Sequence, residues 1–366
     1  MRGSAVIVGA GIAGTAAARG LLRAGWSVQV LERNGSLPGS GTALGMWPEA
    51  MAALDRLGVG DTVRAGSVEQ RGGRILRPDG SVIAAIRGSR RGTRRGTSRV
   101  TARLVPRTAL LDALAGDLPA GLIRWNSPVP EPGALPRADV VVAADGISSR
   151  LRTALFGTHP RPLGTVAFRG TVPGPAPGVS ETWGPGRLFG ITPLDAGTTN
   201  WFACIRAGEL ALPDILPDTR SGAPTARQIQ ARAPEILRRL YRGWHPAVTR
   251  VIGDLDGNPV DYRELFDIPP LPSYVAGTTA LLGDAAHGMA PNLGRGACEA
   301  LLDAAALVAA LAAATDVAGA LRHYDAGRRR RGARMVRMSR LMSRVSTARR
   351  FTAPRDLAVS AAARFS

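Results

Sequence analysis

SAVIVGAGIAGTAAARGLLRAGWSVQVLER, residues 4–33, passes from an apolar run through three glycines to alanines and leucines at helical spacing, then to a second apolar run that ends in Glu32. Val6 to Val8 predicts a short buried strand, the segment after Gly14 a helix, and SVQVLE a second strand, which together make a βαβ unit. Gly9-x-Gly11-x-x-Gly14 falls on the strand–helix turn. There, glycines permit a tight turn, close backbone approach to a pyrophosphate and tight helix–strand packing, while an acid at the end of the next strand can accept from a ribose hydroxyl. The helix N-terminus itself favours phosphate. This context predicts dinucleotide binding but does not separate NAD from FAD; the plain alternative is a glycine turn without a ligand. The outline of a signal peptide over the same residues is rejected, because a strand and phosphate loop account for them better.

At 366 residues the chain is long for one core, and two domains are expected. Its 45% hydrophobic content describes a globular protein. No run of about 18 strongly apolar residues is evident, so no transmembrane span is expected. Two cysteines, Cys204 and Cys298, make no disulfide framework, and a reducing cytoplasm is the default. The four histidines lack ligand spacing, so no metal is expected. The net charge of +19 comes entirely from arginine, with no lysine, a pattern of GC-rich coding that still favours acidic partners.

Farther along, Pro48 opens a helix that Gly58 stops, PRTALLDALAGDL reads as helix, and SVEQRGGRILRPDGSVIAAI as a hairpin turning at Asp79-Gly80. Residues 87–99, RGSRRGTRRGTSR, have no apolar period and read as an exposed loop. ADVVVAADG is an uninterrupted apolar strand. From about Val166 to Ile268, alternating Trp-bearing segments suggest antiparallel sheet, with a helical piece near Thr225–Tyr241. TTALLGDAAH returns to buried parallel strand, and the C-terminal third is helical and Arg-rich from Arg328. A parallel α/β domain is thus interrupted by an antiparallel one.

Two further motifs sit at strand ends. Asp145-Gly146-Ile147-Ser148-Ser149-Arg150-Leu151-Arg152 places an acid where open α/β sheets bind ligands, although an Asp-Gly turn capping a helix with solvent-facing arginines would look the same. In GDAAHGMAPNLGRGACEALLDA, Asp284 ends a strand, and Pro291 to Gly296 lead into a helix whose first amides lack internal partners. Such a helix start stabilises negative charge, including that of a reduced flavin, while Asp284 could bond ribityl hydroxyls. Alternatively, the acid is only a local cap.

Taken together, GAGIAG…LER, DGISSRLR and GDAAHGMAPNLGRGACEALLDA resemble the three signatures of the single-component, FAD-dependent aromatic hydroxylases, the p-hydroxybenzoate hydroxylase-like monooxygenases. ALGMWPEAMAALDRLG, VPRTALLDAL, ETWGPGRLFGITPL and PPLPSYVAGTTALLGDAAH extend the resemblance over nearly the whole chain. It implies a Rossmann-like FAD-binding domain of the hydroxylase type over residues 1–70, 100–160 and 273–330. An antiparallel-sheet substrate domain would occupy 71–99 and 161–272, and a C-terminal helical segment 331–366. It also implies that Gly9, Gly11, Ala13, Gly14 and Glu32 hold the ADP half of FAD, with Arg33 beside the adenosine and Arg107 near the ribityl or phosphate region. Asp145 would serve the pyrophosphate region, in a motif that the family also associates with NAD(P)H, and Asp284 the ribityl–phosphate region. Pro291, Gly294, Gly296 and Ala297 would line the isoalloxazine edge, and His287 would be structural. The substrate would lie between the Pro291–Gly296 turn and a sheet carrying Phe168, Trp183, Phe189 and Trp201. Two departures stand out: Glu49 where the family has Asn, and Arg295 where it commonly has Gln.

The implied activity inserts one atom of O2 into an aromatic or conjugated small molecule through a flavin C4a-hydroperoxide, with NAD(P)H as reductant, as in natural-product tailoring or aromatic catabolism. No side-chain nucleophile is required. Residues 87–99 could recognise an anionic substrate or an acidic carrier protein. A flavin-dependent reductase of the same superfamily is the nearest rival; the halogenase hallmark WxWxIP is absent. A nucleic-acid-binding role is disfavoured, because the basic runs lack interleaved aromatics.

Overall fold

The computed structural model describes residues 3–39, 41–70, 72–87, 102–129, 131–210 and 224–364; all of the basic stretch 87–99 except Arg87 lies outside them. The chain divides into two units. The first comprises Met1–Gly66, Val105–Arg161 and Phe266–Leu341, the second Ser67–Leu104, Pro162–Leu265 and Met342–Ser366.

In the first unit, Ala5 to Val8 are all buried, as in a strand covered on both faces. Its sheet runs in the order Val275–Ala276, Thr279–Leu281, Val140–Ala143, Ser4–Val8, Ser27–Leu31, Ile123–Arg124. Every neighbouring pair is parallel except the first, so five strands, Ile123–Arg124 among them, deliver their carboxyl ends to one edge. The helix Ile12–Arg23 packs on the helix Gly296–Ala313. A side chain at Gly20 would meet Val308 Cγ2 at 2.6 Å, so the small residue sets how closely the two helices approach.

Gly296–Ala313 is, by length and composition, apolar enough to cross a membrane. More than half of it is buried within the chain, and Glu299 and Asp303 inside it carry ion pairs, the marks of a core helix. The expected start of a separate C-terminal segment at residue 331 needs correction. It falls inside one unbroken helix, Val317–Ser346. Its glycines do not end it because Leu321, Tyr324, Arg328 and Val336 keep one face buried across them, and its residues divide between the units at Leu341.

The second unit holds a seven-stranded sheet in the order Val260–Asp267, Arg161–Pro173, Thr198–Arg206, Arg187–Pro193, Ser180–Gly184, Gly72–Leu76, Val82–Arg87. From Arg161–Pro173 to Val82–Arg87 the pairs are antiparallel except Ser180–Gly184 beside Gly72–Leu76, which is parallel. The hairpin turns at Gly80, whose φ is +88°. Period-two alternation sends Phe168, Phe189 and Trp201 to one face, under Ile236 and Leu237 of the helix Ala233–Leu240, its C-cap Tyr241, and Val251 of the helix Pro246–Gly253. Trp183 and Cys204 go to the other face, where Arg355 of the helix Thr352–Arg364 sits 5.5 Å from the Trp183 ring centroid. Both faces are covered, which corrects the expectation that these aromatics line a pocket. Phe168, Phe189 and Trp201 are 0% exposed and Trp183 is 2% exposed, so all four are core.

Candidate functional site

The three glycines of the first turn have three different reasons to be glycine. Gly9 takes a φ of +101°, and a Cβ there would meet Ala144 O at 2.4 Å. A Cβ on Gly14 would lie 1.8 Å from Gly9 O, so the helix could not seat against the loop. At Gly11, the N-cap of Ile12–Arg23, a Cβ would meet no protein atom within 4 Å and no side chain caps the helix. Two glycines therefore serve the protein, and the third keeps a face open beside the unpaired amides of the helix start. Ala13 is buried behind them. Glu32 is only 8% exposed, and its Oε2 accepts from the Ala10 amide at 2.7 Å while Oε1 accepts from the Asn34 amide and side chain at 2.9 and 2.7 Å. Its first role is thus to brace the glycine loop, and each oxygen retains acceptor capacity for a ligand hydroxyl. Arg33 follows it, exposed.

One strand over, Asp145 accepts from the Arg150 amide through Oδ2 at 2.9 Å, whereas its Oδ1 is buried without a hydrogen-bond partner. A buried, unpaired carboxylate oxygen is an uncommon feature that a ligand donor would resolve. Arg152 corrects the solvent-face reading of this motif, being 0% exposed. Its guanidinium donates to Ile147 O at 2.8 Å, Thr158 O at 3.0 Å and Ala285 O at 3.3 Å, joining the Asp145 turn to the Asp284 turn. Burial lowers its pKa, opposed by the charges of Asp145 and Asp284.

On the third strand end, Gly283 has a φ of +59° and presents an exposed Asp284 at the start of the single turn Asp284–His287. Asp303, wholly buried, holds that turn at both ends. Its Oδ2 accepts from the Gly283 amide at 2.9 Å and lies 2.5 Å from His287 Nε2, while Oδ1 takes Arg328 Nε at 2.7 Å. His287, 2% exposed, is tied up in this contact, as a structural residue would be. Arg328 also pairs with buried Glu299 at 2.7 Å, so part of the Arg-rich run is spent inside the protein. Beyond Pro291–Leu293, Gly294 turns left-handed and Gly296 opens the long helix. Cβ atoms at Gly294 or Gly296 would meet nothing within 4 Å, and no side chain caps this helix either.

Gly9, Gly11, Asp145 and Asp284 thus follow three adjacent parallel strands at their carboxyl ends, where doubly wound sheets bind ligands. Pro291, Gly294, Gly296 and Ala297 follow on the same unit. Arg107 begins the helix Arg107–Ala115, and a Cβ on Gly41 would lie 2.8 Å from its own Cβ. These features fit FAD: two uncapped helix starts, open glycine faces, an exposed acid and an orphaned carboxylate oxygen. Sequence reasoning missed Arg152, Asp303 and Glu299. The one available signal was two acids inside an otherwise apolar helix, which demand buried partners.

This arrangement defines a flavoprotein of the hydroxylase class, and comparison with known proteins agrees. The FAD binding domain family matches residues 2–116 and 271–339. The aurachin C monooxygenase/isomerase of Stigmatella aurantiaca is 31% identical over 88% of this chain and 84% of its own length. A FAD-dependent urate hydroxylase of Klebsiella pneumoniae is 30% identical over 88% and 85%. Among solved structures, Klebsiella pneumoniae HpxO complexed with FAD and uric acid superposes with a TM-score of 0.81 at 24% identity, over 97% of this chain and 92% of that one. A salicylate hydroxylase substrate complex gives 0.74 at 22% identity over 99% and 94%; both confirm the fold. The chain belongs to the FAD binding domain family of flavin hydroxylases and is a FAD-dependent monooxygenase.

Proposed function

We propose that this monooxygenase uses NAD(P)H and O2 to insert one oxygen atom into an electron-rich aromatic or heteroaromatic small molecule. The observation that carries the reading is the convergence of the glycine turn, Asp145 and Asp284 on neighbouring strand ends of one unit, next to an uncapped helix start. Relatives named for urate, for 6-hydroxynicotinate (28% identical) and for 3-amino-4-hydroxybenzoate (31% identical) support the substrate class.

Bound FAD supplies the redox chemistry, accepting hydride and activating O2 so that the second oxygen leaves as water. The chain's part is binding and electrostatics. The open amides at Gly11 receive the pyrophosphate, Glu32 and Arg33 the adenosine, and Asp145 takes a donor on its free Oδ1. Asp284 accepts from the ribityl hydroxyls, with Arg107 beside that region. The start of Gly296–Ala313, with Pro291 and Gly294 before it, gives positive potential to the flavin edge, where Gly296 and Ala297 stabilise negative charge. We assign substrate recognition to the second unit. Two free, buried cysteines suit a reducing cytoplasm.

The test is turnover of candidate hydroxylated aromatics under 18O2. One labelled oxygen in the product, with NAD(P)H consumed in equal amount, is the expected result. Label recovered only as hydrogen peroxide for every ligand, with flavin reoxidised directly, would replace the monooxygenase reaction with that of a reductase.

A further inference from the structure

The described residues of the first unit include a surface cleft of about 660 Å³ that none of the expected site residues lines. Four guanidinium groups, Arg295, Arg330, Arg331 and Arg334, face it against a single lining carboxylate, Glu49. Arg295 and Arg331 are held partly by buried Glu299, at 3.2 Å each. Arg330 and Arg334 are exposed, stand four residues apart on one face of Val317–Ser346, and have no acidic partner among the described residues. The same cleft carries a flat ring and soft apolar surface. Trp47 is 37% exposed with Arg295 Cζ 5.5 Å from its ring centroid, and Met338 is 49% exposed.

A bulky indole and a methionine left in solvent beside uncompensated arginines suit a ligand that is planar at one end and anionic at the other. Guanidinium forks match phosphate oxygens, and an aromatic face stacks on a base. The volume lies within the roughly 300–1,000 Å³ of small-molecule sites. Arg295 and Leu293, which line the cleft, belong to the same turn as the residues assigned to the flavin edge. The proposed reaction needs a second dinucleotide, yet the one glycine fingerprint is committed to FAD.

We propose that this cleft takes the adenosine 2′-phosphate end of the reductant, which makes NADPH rather than NADH the electron donor. Arg330 and Arg334 grip the 2′-phosphate, and Trp47 stacks on the adenine. The inference rests on the use of NAD(P)H proposed above.

Calorimetric titration of the FAD-loaded enzyme with 2′,5′-ADP, ADP and inorganic phosphate tests it, alongside steady-state kinetics with NADPH. The expected order of affinity is 2′,5′-ADP, then ADP, then phosphate. The double variant Arg330→Ala/Arg334→Ala should lose about tenfold or more in affinity for 2′,5′-ADP. Its KM for NADPH should rise in parallel, with kcat, FAD content and melting temperature unchanged. Trp47→Leu should weaken 2′,5′-ADP and ADP alike while leaving phosphate untouched. Equal affinity of both proteins for 2′,5′-ADP, no binding at all, or an unchanged KM for NADPH would overturn the assignment of the cleft and leave the monooxygenase reading standing. A flavin that neither NADPH nor NADH reduces, with or without aromatic ligands, would remove that reading and this inference together.

Discussion

Asp303 Oδ2 lies 2.5 Å from Nε2 of His287, with both side chains buried, so one carboxylate fixes the last residue of the turn that Asp284 begins. Burial alone depresses the imidazole, but the charge and hydrogen bond of Asp303 outweigh it and hold His287 above its ordinary 6.5. Burial would raise Asp303, yet His287 and Arg328 bring it below its ordinary 3.8. The signs follow from linkage. The raised imidazole contributes stability fully below pH 6.5 and loses it as pH climbs through the higher folded-state value. The depressed carboxylate contributes above pH 3.8 and loses it as pH falls through the lower one. The melting temperature should therefore decline from pH 6.5 upward more steeply in the wild type than in His287→Gln; parallel curves would dismiss the ion pair. Asp303→Ala, which strands His287 and leaves Arg328 with Glu299 alone, should cost about 3–5 kcal/mol in denaturant unfolding.

Two glycines three residues apart should respond in opposite ways to one methyl group. A Cβ at Gly14 falls 1.8 Å from a backbone oxygen, so Gly14→Ala is expected to lower the stability of the flavin-free protein by about 1–3 kcal/mol. A Cβ at Gly11 touches no protein atom, and the backbone φ of −74° there suits alanine. Gly11→Ala should melt as the flavin-free wild type does and yet retain little FAD. Melting curves and flavin absorbance of the purified variants decide it, and full FAD occupancy in Gly11→Ala would move the pyrophosphate elsewhere.

The parts legible in the sequence were those where a backbone demand selects a residue type. The left-handed and close-approach glycines, the acids at strand ends and Pro48 at a helix start all announce themselves locally. Arg152 did not, because its partners are carbonyls contributed by Ile147, Thr158 and the distant Ala285, and SSRLR reads as an ordinary exposed helix start. The aromatics of the sheet failed for a related reason. Alternation announced the strands, but that Trp183 and Trp201 lie on opposite faces, and that each face is covered, depended on strand pairing and on helices far along the chain. Arg328 looked like one charge in a basic run until Glu299 and Asp303 came into reach.

Asp284 is exposed, and its side chain makes no hydrogen bond among the described residues. Replacing it by alanine should therefore change the stability of the flavin-free protein by no more than about 0.5 kcal/mol. Its proposed work is on the ribityl hydroxyls, so FAD affinity should fall by about tenfold, the worth of one charge-assisted bond. Fluorescence titration of FAD into the flavin-free variant gives the number directly, and an affinity equal to the wild type would release Asp284 from the site.

Arg152 offers the sharpest separation of architecture from ligand contact. It reaches no open face, yet its guanidinium ties Ile147 O beside Asp145 to Ala285 O beside Asp284, so the spacing between the two acids depends on it. Arg152→Met keeps most of the volume and removes every donor. Ile147 O and Ala285 O then lose the guanidinium and Thr158 O keeps only Thr153 Oγ1 at 3.3 Å, at about 1–3 kcal/mol for each buried group left unsatisfied. Arg152→Lys restores a charge but cannot span all three carbonyls with one compact ammonium. Both variants should unfold at lower denaturant than the wild type, and both should bind FAD less tightly, with Lys intermediate in each measurement. A loss of stability unaccompanied by any loss of FAD affinity in the folded Lys variant would show that the two acids keep their spacing without this tether.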